Sequence, residues 1–198
     1  MPWTLRPPIF ESGNPAMRES VIDACCTLNL LATRREVEIV RALGLQLLDT
    51  PQVSREPMYL YTPPDEEGQR TRGPASSAAL REGGYLTTRV LDTDAWTDAF
   101  VAAAARIEDN DASCIALAGV LGLPLISDDC KERRVAAELF PSIELVSTLD
   151  LLHDAAGVLG WRFEELTRVA VSLRRGGNFA PPRQDPRAAW YATLLADK

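Results

Sequence analysis

The sequence has very few of the residues from which zinc sites and disulfide frameworks are built. It contains one histidine, His153, and four cysteines, and no two cysteines are spaced as a Cys-x-x-Cys pair. Tetrahedral zinc sites need closely spaced Cys and His ligands, so this pattern excludes the common structural zinc motifs. The adjacent Cys25 and Cys26 stand in an apolar run, which favours buried, reduced thiols over disulfides or a catalytic thiol.

Long apolar runs and glycine-rich phosphate loops are also missing. No apolar run approaches the ~18 residues of a transmembrane helix, and residues 1–15 lack the charged start and apolar core of a signal peptide. We therefore expect a cytoplasmic protein with no membrane partner. The missing glycine-rich loop disfavours nucleotide-binding enzymes.

The charge balance does not favour nucleic acid as a ligand over the whole surface. The 198 residues include 21 Lys and Arg against 28 Asp and Glu, which gives a net charge of −7. Contacts to phosphates come from Lys and Arg, so an acidic chain is not an obvious binder of nucleic acids. Net charge does not exclude local basic patches, however, and an enzyme that gathers carboxylates around metal ions is acidic before the metals bind.

Short apolar segments alternate with amphipathic ones along most of the chain. The segments with the character of buried strands are residues 20–22, 45–48, 85–91, 123–127 and 143–146. The segments with helical spacing are residues 26–33, 36–43, 53–60, 94–106, 111–121, 130–140, 149–156, 163–173 and 188–195. This alternation predicts an α/β fold in which helices cover both faces of a central parallel sheet.

The composition divides the chain into three parts. Residues 1–17 contain four prolines and predict an N-terminal arm without regular structure. Residues 18–157 carry the alternation of strands and helices, interrupted by a polar stretch at residues 63–74 that predicts an exposed loop. Residues 158–198 predict a C-terminal helical extension.

Aspartates stand where the apolar segments end. Asp23 follows the first predicted strand, Asp111 opens a predicted helix, and Asp128 and Asp129 follow the strand at residues 123–127. In open α/β sheets ligands bind outside the carboxyl ends of the strands, so we expect these carboxylates to lie together. Carboxylates are the ligands that Mg²⁺ and Mn²⁺ prefer. The sequence therefore predicts a Mg²⁺ or Mn²⁺ site held by these aspartates.

The order of these acids resembles that of the PIN-domain nucleases, a family that includes the toxins of toxin–antitoxin pairs. The matching stretches are Val21-Ile22-Asp23-Ala24-Cys25 with Leu28-Asn29-Leu30, Val53-Ser54-Arg55-Glu56, residues 111–118, and Leu125-Ile126-Ser127-Asp128-Asp129. The resemblance spans residues 20–157. It implies a three-layer α/β/α PIN-like domain in which Asp23, Glu56, Asp111 and Asp129 are catalytic.

The chemistry of phosphodiester cleavage gives such acids a function. Two Mg²⁺ ions can activate a water and stabilise the leaving oxygen. The resemblance adds RNA as the implied substrate, so we expect a metal-dependent endoribonuclease, with an antitoxin protein as a second partner if the chain is a toxin. The alternative is a catalytically weak PIN-like module that binds nucleic acid or has a regulatory role. A phosphatase with an aspartyl nucleophile needs Asp-x-Asp where this chain has Asp23-Ala24-Cys25, which counts against that enzyme class.

Four polar residues near the acids are candidate substrate ligands. Asn29 would either hydrogen-bond an acid of the site or stand on an exposed helix face. Ser127 would either bind a phosphate or a metal-bound water, or cap a helix. Lys131 and Arg134 would hold RNA phosphates. Asp111 can equally serve as a helix cap, since Asp is favoured at that position.

Aromatic side chains are concentrated in the C-terminal extension. They are Trp161, Phe163, Phe179, Trp190 and Tyr191. Exposed aromatic patches commonly mark contacts, and the resemblance also implies dimers, so we expect a homodimer whose second subunit adds basic side chains to the RNA groove. The alternative is that this segment folds back and completes the core of its own domain.

Overall fold

The computed structural model describes residues 17–62, 65 and 67–196, so the predicted arm lies outside it apart from Met17. The strands are β1 (Arg18–Ile22), β2 (Leu45–Asp49), β3 (Tyr59–Tyr61), β4 (Arg72–Pro74), β5 (Leu86–Thr88), β6 (Leu125–Ile126) and β7 (Leu145–Val146). The helices are α1 (Ala24–Ala32), α2 (Glu36–Ala42), α3 (Pro51–Ser54), α4 (Ala78–Glu82), α5 (Asp94–Ala104), α6 (Asp109–Leu121), α7 (Cys130–Leu139), α8 (Thr148–Leu159), α9 (Phe163–Gly176) and α10 (Ala188–Leu195). None of the helices in this part of the chain has the length and apolar character needed to cross a membrane.

Within the described residues, five strands form one all-parallel sheet in the order β5-β2-β1-β6-β7. β1 lies at the centre, where Val21 pairs with Leu48 of β2 and with Leu125 of β6. The chain builds outward from β1 through β2 to β5, and then returns to the other side of β1 for β6 and β7. The predicted α/β fold is therefore confirmed. The direction of building reverses between β1 and β6, which is where open sheets bind their ligands.

Both faces of the sheet are covered, as is usual for a parallel sheet. On one face, Val21 and Leu125 belong to the same buried cluster as Ile115 of α6. On the other face, Ile22 belongs to a second cluster with Leu30 of α1 and with buried side chains of α8. Successive residues of a strand point to opposite faces, so the adjacent residues Val21 and Ile22 enter different layers of the core.

The C-terminal helices complete the core on the α1 side of the sheet. Buried side chains of α9 and α10 belong to the same cluster as Ile22, and the Tyr191 hydroxyl donates a hydrogen bond of 3.0 Å to the carbonyl of Ala170. The buried or half-buried aromatic side chains of this segment are Trp161, Phe179, Trp190 and Tyr191. Phe163, by contrast, is 62% exposed. The segment therefore folds back onto its own domain, and the homodimer stays a prediction.

The region after β2 differs from the sequence-based prediction. The helix predicted at residues 53–60 is wrong beyond its start, because α3 ends at Ser54 and Pro57 lacks the N–H that a helix interior needs. The chain instead forms β3, which pairs antiparallel with β4, so the predicted loop at residues 63–74 ends in a strand. The buried side chain of Leu60 joins the core cluster on the α1 side and anchors this hairpin to the domain.

Two helix glycines with different surroundings predict opposite effects of alanine on stability. A methyl group at Gly119 of α6 would lie 2.4 Å from the ring of Phe140, whereas at Gly157 of α8 it would meet no atom within 4 Å. Alanine is favoured over glycine in a helix by about 1 kcal/mol, so we expect Gly157→Ala to raise the free energy of unfolding by up to that amount. Gly119→Ala should lower it by about 1–3 kcal/mol through overpacking.

Urea unfolding of both variants measures these changes. Phe140→Leu combined with Gly119→Ala should recover part of the loss, because the smaller side chain leaves room for the methyl group. Equal effects of the two single alanine variants would contradict the close contact between α6 and Phe140.

Candidate functional site

Three acids predicted from the sequence stand at helix starts along the edge where the parallel strands end. Asp23 follows β1 and caps α1, with its Oδ1 accepting the Cys26 backbone N–H at 2.5 Å. Asp129 caps α7, with its Oδ1 accepting the N–H groups that open that helix. Asp111 lies in the first turn of α6. Three helix N-termini, whose free N–H groups carry partial positive charge, therefore meet the carboxylates at this edge.

Glu132, in the first turn of α7, is buried beside Asp23. Glu132 is 0% exposed, and its Oε2 accepts a hydrogen bond of 2.5 Å from the Ser127 hydroxyl. Burial and then the charge of Asp23 raise the pKa of Glu132, so the two buried carboxyl groups are neighbours. No N–H or O–H group of the described residues reaches its other oxygen, Oε1. Two buried carboxyl groups side by side need a shared proton or a cation between them.

Burial raises the pKa values of Asp23, Asp111 and Glu132. Desolvation is the main cause that raises the pKa of Asp23 to about 7, and repulsion from Asp128 adds to it. Burial, and then repulsion from Asp129, raise the pKa of Asp111 to about 6. Burial, and then repulsion from Asp23, raise the pKa of Glu132 well above its usual range. The Asp23–Glu132 pair therefore retains a proton near neutral pH unless a cation takes its place.

Glu56 stands at the same edge as the aspartates. Its Oε2 accepts a hydrogen bond of 2.8 Å from the Asn110 side chain, and its charge adds to the effect of burial on the pKa values of Asp111 and Cys25. Cys25 is exposed, which corrects its prediction as a buried thiol, because it points away from the core side of α1. Desolvation and then the charge of Asp23 raise the pKa of Cys25 to about 12. Its thiol is therefore neutral and is a poor nucleophile.

Asp128 lies in the turn between β6 and α7 and is held by several hydrogen bonds. Its oxygens accept from the Thr148 backbone N–H at 2.9 Å, the Thr148 hydroxyl at 2.5 Å, the Asn29 side chain at 3.0 Å and the Cys26 thiol at 3.3 Å. These contacts tie the turn after β6 to α1 and to the start of α8. They favour a positioning role for Asp128 and Asn29 over the metal-binding and substrate-binding roles predicted from the sequence.

The remaining predicted substrate ligands divide into exposed and buried side chains. Lys131 and Arg134 are exposed on α7, and the charge of Lys131 opposes the rise in the pKa of Asp111, so Lys131 lies near that acid. Ser127 is 0% exposed, donates to Glu132 and accepts the Asp129 N–H at 3.1 Å. Ser127 therefore positions the acids, and its burial argues against the predicted contact with the substrate.

The described residues supply only part of the ligand set of a divalent cation. Among the described residues, no three His, Cys, Asp or Glu side chains stand close enough together to bind one metal ion, so the predicted four-aspartate site is not assembled there. Mg²⁺, however, is usually held by one or two carboxylates together with waters and phosphates. The Asp23–Glu132 pair supplies two carboxylates, and Oε1 of Glu132 lacks a donor from the described residues.

Sequence reasoning did not single out Glu132. Asp129 and Glu132 form an Asp-x-x-Glu pattern, which is typical of a helix start and explains the glutamate without any function. The feature of the sequence that could have identified Glu132 is its position three residues after Asp129, an acid that follows a strand. A helix that begins at the ligand edge of a sheet directs its first turn toward that edge, and one side chain of that turn has to face inward.

Comparison of the chain with protein-family models, with curated proteins and with solved structures finds no match. The resemblance to PIN-domain nucleases therefore stays a prediction carried by the motifs of this chain.

The raised pKa values predict how stability depends on pH. A carboxyl group with a higher pKa in the folded than in the unfolded chain binds more protons when folded, so its stabilising effect is lost as pH rises between the two values. For Asp23 that range runs from 3.8 to about 7. We therefore expect calorimetry to show a lower melting temperature for the metal-free protein at about pH 8 than at about pH 5.

A neutral amide at Glu132 isolates the contribution of the buried pair. Glu132→Gln still accepts from Ser127 and offers an N–H to Asp23, so it should flatten the fall in melting temperature with pH. Glu82→Gln, at an exposed position of α4, makes the same substitution away from the pair and should keep the wild-type slope. An unchanged slope for Glu132→Gln would contradict the pairing of the two carboxyl groups.

Proposed function

We propose that this acidic edge hydrolyses the phosphodiester bonds of RNA with Mg²⁺ or Mn²⁺. The observation that carries the proposal is the buried Asp23–Glu132 pair beside the reversal point between β1 and β6. A divalent cation would satisfy both carboxyl groups at neutral pH, where a proton otherwise has to lie between them. The motif resemblance to PIN-domain nucleases supports RNA as the substrate.

The residues at this edge divide the chemistry among them. Asp23 and Glu132 would hold the metal ion, which supplies charge stabilisation at the phosphate and a more acidic water. Asp111, with a pKa of about 6, is suited to accept the proton of the attacking water near neutral pH. Glu56, fixed by its hydrogen bond from Asn110, would help to orient that water. The exposed Lys131 beside Asp111 would hold the phosphate in place.

An RNA-binding or regulatory module without cleavage is the second candidate. The observation that favours it is that no three metal ligands stand together among the described side chains. Both candidates have RNA as the partner and the cytoplasm as the expected location. The other predicted partners are a second copy of the chain, in a homodimer, and an antitoxin protein if the chain is a toxin. A small DNA-binding protein encoded next to this chain would favour the toxin role.

Cleavage of a labelled single-stranded RNA tests the nuclease proposal. We expect cleavage with Mg²⁺ or Mn²⁺ and none with EDTA. Asp23→Asn and Glu132→Gln should each lower the rate by about a hundredfold, because an amide has the shape of the acid without the charge that holds a dication. Both variants should also weaken Mn²⁺ binding in calorimetric titrations, which is a readout independent of activity.

Asp98→Asn, at an exposed position of α5, is the matched control and should cleave and bind Mn²⁺ as the wild type does. Equal cleavage by the wild type and Asp23→Asn would point to a contaminating nuclease and favour the binding module. Metal binding without cleavage of any RNA would also overturn the nuclease proposal.

A further inference from the structure

A cavity lies between the β3–β4 hairpin, the end of α1 and α9, and its lining combines apolar surface with charged side chains. Its volume is about 430 Å³, and we call it the arginine cavity after its charged lining of Arg34, Arg70, Arg168 and Arg175. In the described part of the chain no acidic residue lines it, although the whole chain carries a net charge of −7. Positive charge is therefore concentrated at one place on an acidic protein, where it attracts anions.

No carboxylate of the described residues forms an ion pair with the arginines of this cavity. The arginine ion pairs formed within the described residues use other arginines. Arg70 lies over the ring of Tyr61, 4.6 Å from its centroid, and Arg72 lies over the same ring at 4.8 Å. A stacked guanidinium keeps the N–H groups in its plane free for a phosphate.

The backbone conformation of Arg34 also points to a ligand. Arg34 follows α1 with φ 59°, a left-handed conformation in which glycine usually stands. An arginine in this conformation is strained relative to glycine. A contact between the Arg34 guanidinium and a ligand would explain why arginine and not glycine stands at this position.

We propose that the arginine cavity binds phosphate groups of a single-stranded RNA that extends from the acidic edge. The choice of RNA rests on the proposed function. α1 connects the two places, since Asp23 caps its start and Arg34 follows its end. The helical rise separates these two residues by about 16 Å, which about three to five nucleotides of a strand can span. Contacts to phosphates fix the position of the strand without reading its bases.

Binding of a labelled RNA of about ten nucleotides to the Asp23→Asn protein tests the proposal without cleavage. In that background Arg34→Gly removes a guanidinium and leaves a residue suited to φ 59°, so the fold is kept. We expect the Kd to rise about fivefold, and about tenfold or more when Arg175→Gln is added. The slope of log Kd against log salt should fall by about 0.7 for each phosphate that the variant no longer binds.

The control is Arg41→Gln, at an exposed position of α2 outside the cavity, which removes the same charge. It should bind RNA within about twofold of the parent protein. Equal weakening by Arg41→Gln and Arg34→Gly would overturn the proposal in favour of a general charge effect. Displacement of the RNA by polyglutamate as readily as by unlabelled RNA would identify an acidic peptide as the ligand and would also overturn it.

RNA length and cleavage separate this inference from the nuclease proposal. A dinucleotide is too short to reach both places, so Arg34→Gly should leave its binding at the acidic edge unchanged. The RNA could bind through the arginines and yet not be cleaved by the wild type with Mn²⁺. That result would support this inference and overturn the nuclease proposal. Cleavage by the wild type, with normal RNA binding by both arginine variants, overturns this inference alone.

Discussion

Two carboxyl groups lie side by side inside a protein only when a proton or a cation lies between them, and much of this fold holds such a pair in place. Asp23 and Glu132 come together because β1 and β6 are neighbours in the sheet and each is followed closely by a helix. The N–H groups at the start of α1 face Asp23, and those at the start of α7 face Asp129, three residues before Glu132. These dipoles and the Ser127 hydroxyl offset part of the desolvation that the pair suffers.

The two aspartates after β6 have different surroundings although they are adjacent in sequence. Asp128 accepts hydrogen bonds from Asn29 and Thr148 and so fixes the turn against α1 and α8. Asp129 caps α7 and stays exposed. The hydrogen bonds to Asp128 fix the position of α1 relative to the turn between β6 and α7. They therefore also fix the distance between Asp23 and Glu132. The geometry of the acids depends on a residue that need not touch the substrate.

Several parts of the structure were predictable from the sequence because one signal dominated each of them. Short apolar segments identified the central strands, and an aspartate directly after a strand has to stand at its carboxyl edge. Glu132 was not predictable in this way, since its spacing from Asp129 is explained by helix capping alone. The β3–β4 hairpin was missed because its strands are short and a polar stretch separates them.

The arginine cavity was beyond sequence reasoning for a different reason. Its charged residues come from the end of α1, the hairpin and α9, and no local pattern connects positions so far apart. Only the packing of the hairpin and α9 against α1 brings them together. The aromatic C-terminal segment is the opposite case. Its composition was clear from the sequence, but whether it packs into the core of its own domain was not. Tyr191 and Phe179 are buried there.

The role of α9 and α10 in the core bears on the order of events during synthesis. Leu30 of α1 belongs to the same buried cluster as Leu173 and Leu194, so the α1 side of the sheet stays open until residues 163–195 have left the ribosome. The helix that Asp23 caps then lacks the part of its packing that α9 and α10 supply, although β1, α2 and α8 have already been made. The core beside the acidic edge is therefore completed only by the last helices of the described chain.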